Sequence, residues 1–262
     1  MLLHGMSSMG LLNFFRCCLL AWVLYPAIGT ATTLFDASRQ RQIPIELYYP
    51  ANANDCLATH PCPVALLSAG YGVAHTEYRF VAEVLNRAGY LVVAIGHELA
   101  QDPPLSVQGN LFETRRENWQ RGAVTLEFVQ QALQTQLPGF DFSRLTLVGH
   151  SNGGDISAWF ANAHPELVSA LITLDHRRVP LPRNKNIRVL SIRASDFPAD
   201  EGVLLSESEK ARFDACVLTI AGAKHNELTD QGPLWLKEHI AQVVSGSLRN
   251  LNCVQLQSLG TQ

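Results

Sequence analysis

Leu145 to Gly154, read L-T-L-V-G-H-S-N-G-G, constrains this chain more than any other stretch. Leu145, Leu147 and Val148 form a short apolar run of the kind that becomes a buried strand. It runs straight into Gly149-His150-Ser151-Asn152-Gly153-Gly154, and then into Ile156, Ala158, Trp159 and Phe160 at helical spacing. The reading is strand, sharp turn, helix, with a serine at the apex. Gly-x-Ser-x-Gly in that setting is a nucleophile elbow: the turn leaves no room for Cβ atoms beside the serine, whose own backbone is strained.

A strand–turn–helix unit needs a sheet to sit in, and the chain is long enough to supply one. Its 262 residues, 47% hydrophobic and 16% charged, suit one domain with a large core. The net charge of −3 and pI of about 6.3 provide no basic surface for nucleic acid.

The first 31 residues read as a leader rather than as part of that domain. Arg16 precedes the apolar run Cys17 to Tyr25, followed by Pro26 and the small residues Ala27, Gly29 and Ala31. This is the layout of a secretory signal peptide, too short for a comfortable membrane span, with cleavage expected after Ala31. An uncleaved anchor is the alternative. The expected mature chain, 32–262, is a single domain exported to the periplasm or beyond, with no stable membrane insertion. It keeps Cys56, Cys62, Cys216 and Cys253, an even set that points to disulfides in an exported chain. A local Cys56–Cys62 bridge is favoured, which leaves Cys216 with Cys253. A metal site at Cys56, His60 and Cys62 has poor zinc spacing.

Along the mature chain, Thr32–Phe35 and Ile43–Tyr49 read as two strands across a polar turn, and 51–63 as a loop. Val64–Ser68 and Leu91–Ile95 are continuous apolar runs, hence strands buried on both faces. Between them Phe80, Val81, Val84, Leu85 and Ala88 recur at helical spacing. Residues 96–112 are a long connection and a candidate pocket wall. Trp119 to Leu133 line one side of a long helix, opened by Arg115, Arg116 and Glu117 as a solvated, salt-bridged face. Beyond the elbow come strands at Ala170–Leu174, Arg188–Ile192 and Cys216–Ile220, then a closing helix from Leu234 to Val244 and a polar, featureless tail from Ser245. The expected fold class is α/β: a doubly wound, mostly parallel sheet of about eight strands flanked by helices, with an antiparallel start and no large lid domain.

Ligands of open α/β sheets bind outside the carboxyl ends of the strands. Past successive strand ends stand Gly70 and Tyr71, then Ser151, Asp175, Asp196 and His225. A nucleophile, candidate acids and a histidine thus occur in the order that a Ser…Asp…His triad on such a sheet demands. Ser151 needs an adjacent base to take its proton, and His225 follows the last strand closely. The acid that orients the imidazole is expected at Asp196, with Asp175 its competitor and Asp200 a third choice. Backbone N–H groups of Tyr71 and Asn152 are the expected oxyanion donors, and the Tyr71 ring is a candidate contact for the acyl group. His150 lies within the elbow and cannot face Ser151; His164 and His239 read as helix-surface residues; His75, His97 and His176 are candidates to line the pocket.

Nearly the whole mature chain resembles the α/β-hydrolase superfamily. The Ser68–Tyr78 run, S-A-G-Y-G…T-E-Y, the run V-A-I-G-H-E from Val93 to Glu98, and the G-H-S-N-G-G elbow look like dienelactone hydrolase-like and plasma-type platelet-activating-factor acetylhydrolase relatives. The resemblance implies ester hydrolysis through a covalent acyl-enzyme, with no cofactor and no metal. It also implies two places for the acid. In the acetylhydrolase relatives it follows the strand after the elbow, here Asp175; in dienelactone hydrolase-like and polyesterase relatives it follows the next, here Asp196. The chain departs from the usual pattern in having Ser68-Ala69-Gly70 in place of His-Gly and Asn152 in place of Phe or Met. The expected activity is an exported serine esterase acting on a small-molecule ester. A peptidase or amidase using the same triad, and a non-catalytic binding protein on this fold, are the alternatives. The identity of the ester and the oligomeric state have no sequence signature.

Overall fold

The computed structural model describes Met1 and residues 29–259. Strands β1 (Gly29–Asp36) and β2 (Arg41–Tyr48) form an antiparallel hairpin, with Gly29 opposite Tyr48 and Asp36 opposite Arg41. Strands then alternate with helices: β3 (Cys62–Ser68), α1 (Arg79–Arg87), β4 (Leu91–Ile95), α2 (Leu111–Gln136), β5 (Phe140–His150), α3 (Asn152–Ala163), β6 (Val168–Leu174) and β7 (Arg188–Arg193). The chain closes with α4 (Glu207–Phe213), β8 (Cys216–Thr219), α5 (Leu234–Leu248) and α6 (Cys253–Ser258).

Among the described residues eight strands join one sheet in the order β1-β2-β4-β3-β5-β6-β7-β8. β2 meets β4 antiparallel, and every pairing from β4 to β8 is parallel. Successive strand side chains point to opposite faces, so a run such as Val64-Ala65-Leu66-Leu67 feeds two cores at once. Val64 and Leu66 pack with Trp119, Leu126 and Val129 of α2 and Ile156 and Phe160 of α3. Ala65 and Leu67 share the opposite core with Val81 and Leu85 of α1 and Ile240, Val243 and Val244 of α5. This is why the parallel strands read as unbroken apolar runs. It also leaves the carboxyl ends of β3 to β8 on one rim of the sheet.

The fold class is as the sequence leads one to expect, and several details differ. β1 begins at Gly29, so cleavage after Ala31 would shorten it to Thr32–Asp36; the rest of the expected leader, 2–28, lies outside the described residues. α2 begins at Leu111 rather than Arg115, because the Asn110 side chain accepts the Phe112 N–H and starts the helix a turn earlier. α4 arises where Ser206 and Glu209 form a reciprocal capping box. The tail is not featureless: α5 continues to Leu248, and α6 is capped by Asn252 with Gln255 and buries Leu256 against the α5 core.

The cysteines pair as Cys56–Cys62 and Cys216–Cys253, with Cα–Cα separations of 5.2 and 5.0 Å. Both thiols of the alternative Cys56-His60-Cys62 metal site are therefore consumed. The second bridge ties β8 to α6.

Candidate active site

Ser151 sits between β5 and α3 with φ 52° and ψ −122°, a conformation that L-residues adopt only under constraint. The constraint comes from its neighbours. A Cβ on Gly149 would lie 2.4 Å from the Gly153 carbonyl oxygen, and one on Gly153 would lie 2.2 Å from that of Ser68. Both contacts are with backbone, which cannot move aside, so the elbow needs glycine at each position.

The strained turn aims Ser151 Oγ at His225 Nε2, 2.8 Å away. His225 Nδ1 is 2.5 Å from Asp175 Oδ2. A carboxylate only accepts, so Nδ1 carries the proton, and the lone pair at Nε2 accepts the Ser151 O–H. Asp175 is fully buried and has φ 49°. Its second oxygen, Oδ1, takes the Arg193 guanidinium at 2.7 Å and the Ala194 N–H at 3.1 Å. Burial works against the charged carboxylate. The His225 hydrogen bond, the Arg193 charge and the Ala194 N–H outweigh it and hold the Asp175 carboxyl below its ordinary range.

The acid expected behind His225 was Asp196, and the geometry corrects this. Asp196 accepts the His225 backbone N–H, at 2.9 and 3.1 Å to its two oxygens, and does not meet the ring. The cause lies in the strand order. Both the N–H and Oγ of Ser195, past the end of β7, donate to the Ala223 carbonyl at 2.9 Å, so the loop after β8 is laid across the end of β7. Asp196 therefore lies beneath that loop's backbone while the His225 ring projects on toward β6, which is the strand beside Ser151. Arg193 was the overlooked signal: a cation ending an apolar strand needs a buried acid, and β6 ends alongside it, Leu174 opposite Ile192. Asp200, the third choice, pairs with Arg178 instead.

The expected oxyanion donors, Tyr71 and Asn152, lie in the turn after β3 and directly after Ser151. Asn152 opens α3, where the first N–H groups have no partner within the helix. Its side chain is otherwise engaged: Oδ1 accepts Trp119 Nε1–H at 2.9 Å and Nδ2 donates to Asn118 Oδ1 at 2.8 Å. That network accounts for asparagine at a position where Phe or Met is usual. Tyr71 lies in the turn closed by Val73 N–H to the Gly70 carbonyl. Its phenol accepts the Leu105 N–H at 3.1 Å, which ties this turn to the 96–110 connection. Phe197 stands edge-on to His225, ring centroids 6.1 Å apart, and carries the Arg177 guanidinium on its face.

The remaining histidines divide by burial. His97 and His176 are buried and bond Ser68 Oγ and the Val179 carbonyl at 2.9 and 3.2 Å; burial lowers each imidazole to a pKa of about 3. They are core groups, not pocket lining. His150 points away from Ser151, as expected, toward Tyr78. A cleft of about 430 Å³ opens beside it, between Gly72 and Val73 on one side and Asn226 and Gln231 on the other. Arg115 donates to the Ser106 carbonyl at 2.7 Å, bracing the 96–110 connection, and Arg116 pairs with Glu113. One residue beyond the expected set is Asp155: its Oδ1 accepts the N–H groups of Arg177, Arg178 and Val179 at 3.3, 2.8 and 2.9 Å, fastening the loop that follows Asp175.

No protein-family model and no curated protein matches the sequence. Solved structures do match in shape. A dienelactone hydrolase from Anabaena variabilis superposes with a TM-score of 0.58 at 17% identity, over 87% of this chain and 100% of that one. An esterase from Pyrobaculum calidifontis gives 0.62 at 14% identity over 85% of each chain. A Rhizomucor miehei esterase gives 0.56 at 12% identity, over 85% of this chain and 83% of its own. With the strand order and the elbow at the end of β5, these likenesses show that the chain has the α/β-hydrolase fold.

Proposed function

We propose that the protein is an exported serine hydrolase that cleaves carboxylic esters through a Ser151–His225–Asp175 triad and an acyl-enzyme. The observation that carries this reading is the unbroken line from Ser151 Oγ through both imidazole nitrogens to a buried, Arg193-paired carboxylate. An alcohol is a weak nucleophile at neutral pH, and this line supplies the base it needs.

Ser151 Oγ attacks the ester carbonyl while its proton passes to His225 Nε2. Asp175 holds the ring in the reactive tautomer and stabilises the imidazolium. The carbonyl oxygen, now an oxyanion, receives the N–H groups of Tyr71 and Asn152. His225 returns the proton to the leaving alcohol, and the serine ester remains. Water, deprotonated by the same imidazole, then releases the acid and restores Ser151. Two disulfides and the expected leader support export to an oxidising compartment. Among the described residues no helix is long and apolar enough to cross a membrane.

The test is a fluorophosphonate probe followed by peptide mapping, beside hydrolysis of short p-nitrophenyl esters. Ser151 is expected to carry the label and Ser151→Ala to abolish both signals. An unlabelled Ser151 in folded protein sinks the reading.

A further inference from the structure

Tyr78, the residue before α1, is 2% exposed, and its phenol oxygen accepts the Gly70 N–H at 3.0 Å. The same oxygen is 2.8 Å from His150 Nδ1. On the far side of that ring, His150 Nε2 is 3.0 Å from the His225 carbonyl oxygen. Each proton in this chain can be assigned. A carbonyl only accepts, so His150 Nε2 carries a proton; the neutral ring then accepts at Nδ1, and Tyr78 O–H supplies the donor. Burial, with the His225 ring beside it, lowers the His150 pKa to about 3, so the ring is neutral and this is its single tautomer.

The ends of the chain are parts that the reaction uses. Gly70 directly precedes Tyr71, the oxyanion donor, and His225 is the base. His150 is itself bonded through the backbone to Ser151. One imidazole therefore references nucleophile, base and oxyanion loop to one another. Three segments far apart in sequence meet there: the turn after β3, the end of β5 and the loop after β8.

We propose that Tyr78 and His150 are positioning residues that set the spacing between the Tyr71 oxyanion donor and His225 around Ser151. The inference rests on the triad reading. Filling the space would not require these two residues, since an apolar pair would do it without burying a phenol and an imidazole. The polar pair supplies direction: reversing the His150 tautomer would set a lone pair against the His225 carbonyl and leave Tyr78 O–H without its acceptor.

The experiment compares Tyr78→Phe, His150→Phe and His150→Gln with the wild type on p-nitrophenyl butyrate. Fluorophosphonate labelling counts competent sites, and the ring nitrogens of His150 are followed by ¹⁵N NMR. Displacing a reacting group by a fraction of an ångström to 1 Å costs up to about 10²-fold in rate. Tyr78→Phe and His150→Phe are expected to lower kcat by about ten- to a hundredfold with KM within about twofold. His150→Gln is expected to retain most of kcat, because its amide offers an oxygen toward Tyr78 and an N–H toward His225. The wild-type ring is expected to be protonated at Nε2 alone from pH 5 to 9. Tyr78→Phe with kcat within twofold of wild type, equal kcat in His150→Phe and His150→Gln, or an Nδ1-protonated wild-type ring would each overturn the proposal while leaving a labelled Ser151 intact. Should Tyr78→Phe not fold, the two His150 variants and the wild-type tautomer decide. Failure of the wild type to label removes the triad reading itself, and the proposal with it.

Discussion

Replacing Asp175 with Asn, beside the same change at Asp196, separates two carboxylates that stand one strand apart and bond the same histidine. Asp175 faces His225 Nδ1 at 2.5 Å; Asp196 receives only the backbone N–H of that residue. An amide in place of the triad carboxylate removes the charge that stabilises the imidazolium and lets the wrong tautomer form, an exchange that lowers kcat about 10⁴-fold in a serine protease. At Asp196 an amide oxygen still accepts the N–H. The loss is the difference between a charge-assisted hydrogen bond and a neutral one, about 1 kcal/mol, or roughly fivefold at most in rate.

Stability must be followed alongside rate. Arg193 is 4% exposed and Asp175 fully buried, so Asp175→Asn strands a cation in the core. Breaking a buried pair costs about 3–5 kcal/mol, which lowers the melting temperature of a chain this size by roughly 6–20 °C. Rates are therefore to be measured well below the midpoint and normalised to folded protein by near-ultraviolet circular dichroism. Asp175→Asn is expected to lose at least 10³-fold in kcat on p-nitrophenyl butyrate and Asp196→Asn less than tenfold. The reasoning fails if Asp175→Asn, correctly folded, stays within tenfold of wild type while Asp196→Asn loses a thousandfold.

Three further outcomes follow from the same contacts. Burial raises the Asp155 pKa to about 6 against the three N–H groups it accepts, so the folded state binds its proton more tightly than the unfolded chain does. Stability from that group is full below about pH 4 and declines by roughly 3 kcal/mol as pH rises to 6; Asp155→Asn should thus raise the melting temperature relative to wild type more at pH 8 than at pH 4, and an equal offset at both would refute it. Asp175 has the opposite sign: its carboxyl is held below the ordinary range, so its contribution is present above about pH 4 and is lost as pH falls through the lowered value, which acid-unfolding curves of wild type and Asp175→Asn should show as a smaller loss in the variant. The Cys216–Cys253 bridge closes a 37-residue separation and the Cys56–Cys62 bridge one of 6, which chain entropy converts to about 4 and 2 kcal/mol; denaturant midpoints of the two Cys→Ala pairs should rank in that order, and the reverse ranking would sink the entropic account.

The sequence was most legible where the physics is local. The elbow and the apolar parallel strands each depend on residues within a few positions of one another, and each is found where it was expected. The helix caps were read less well, since Asn110, Ser206 and Asn252 open a helix earlier than expected or where none was expected. The division of labour between Asp175 and Asp196 is not local. It depends on the loop after β8 crossing the end of β7, a consequence of strand order among segments tens of residues apart. Arg193 could have pointed to the answer, since an arginine at the end of a buried strand calls for an acid in register beside it. The polar tail misled for a different reason: its apolar residues, among them Leu248, Leu251 and Leu256, are scattered between polar ones, yet the Asn252–Gln255 capping pair was present to mark a helix. At the other end, Gly29 to Ala31 satisfy both a cleavage-site pattern and a strand edge.

The first turn of α3 explains why Ser151 can keep so strained a backbone. Gly153 lies directly against the carbonyls of Ser68 and Ala69, at the end of β3 and the root of the oxyanion loop. Asn152 is fastened to Asn118 and Trp119 of α2. Asp155 gathers the three N–H groups that follow Asp175 and His176. Asn152, Gly153 and Asp155 thus bind the turn after β3, the long helix and the loop after β6 to the same turn. A conformation costing of order 1–3 kcal/mol persists only where its surroundings overdetermine it. Here the surroundings include the segments that carry Asp175 and Tyr71, so on the proposed mechanism the contacts that sustain the strain at Ser151 also hold the proposed acid and oxyanion donors in place.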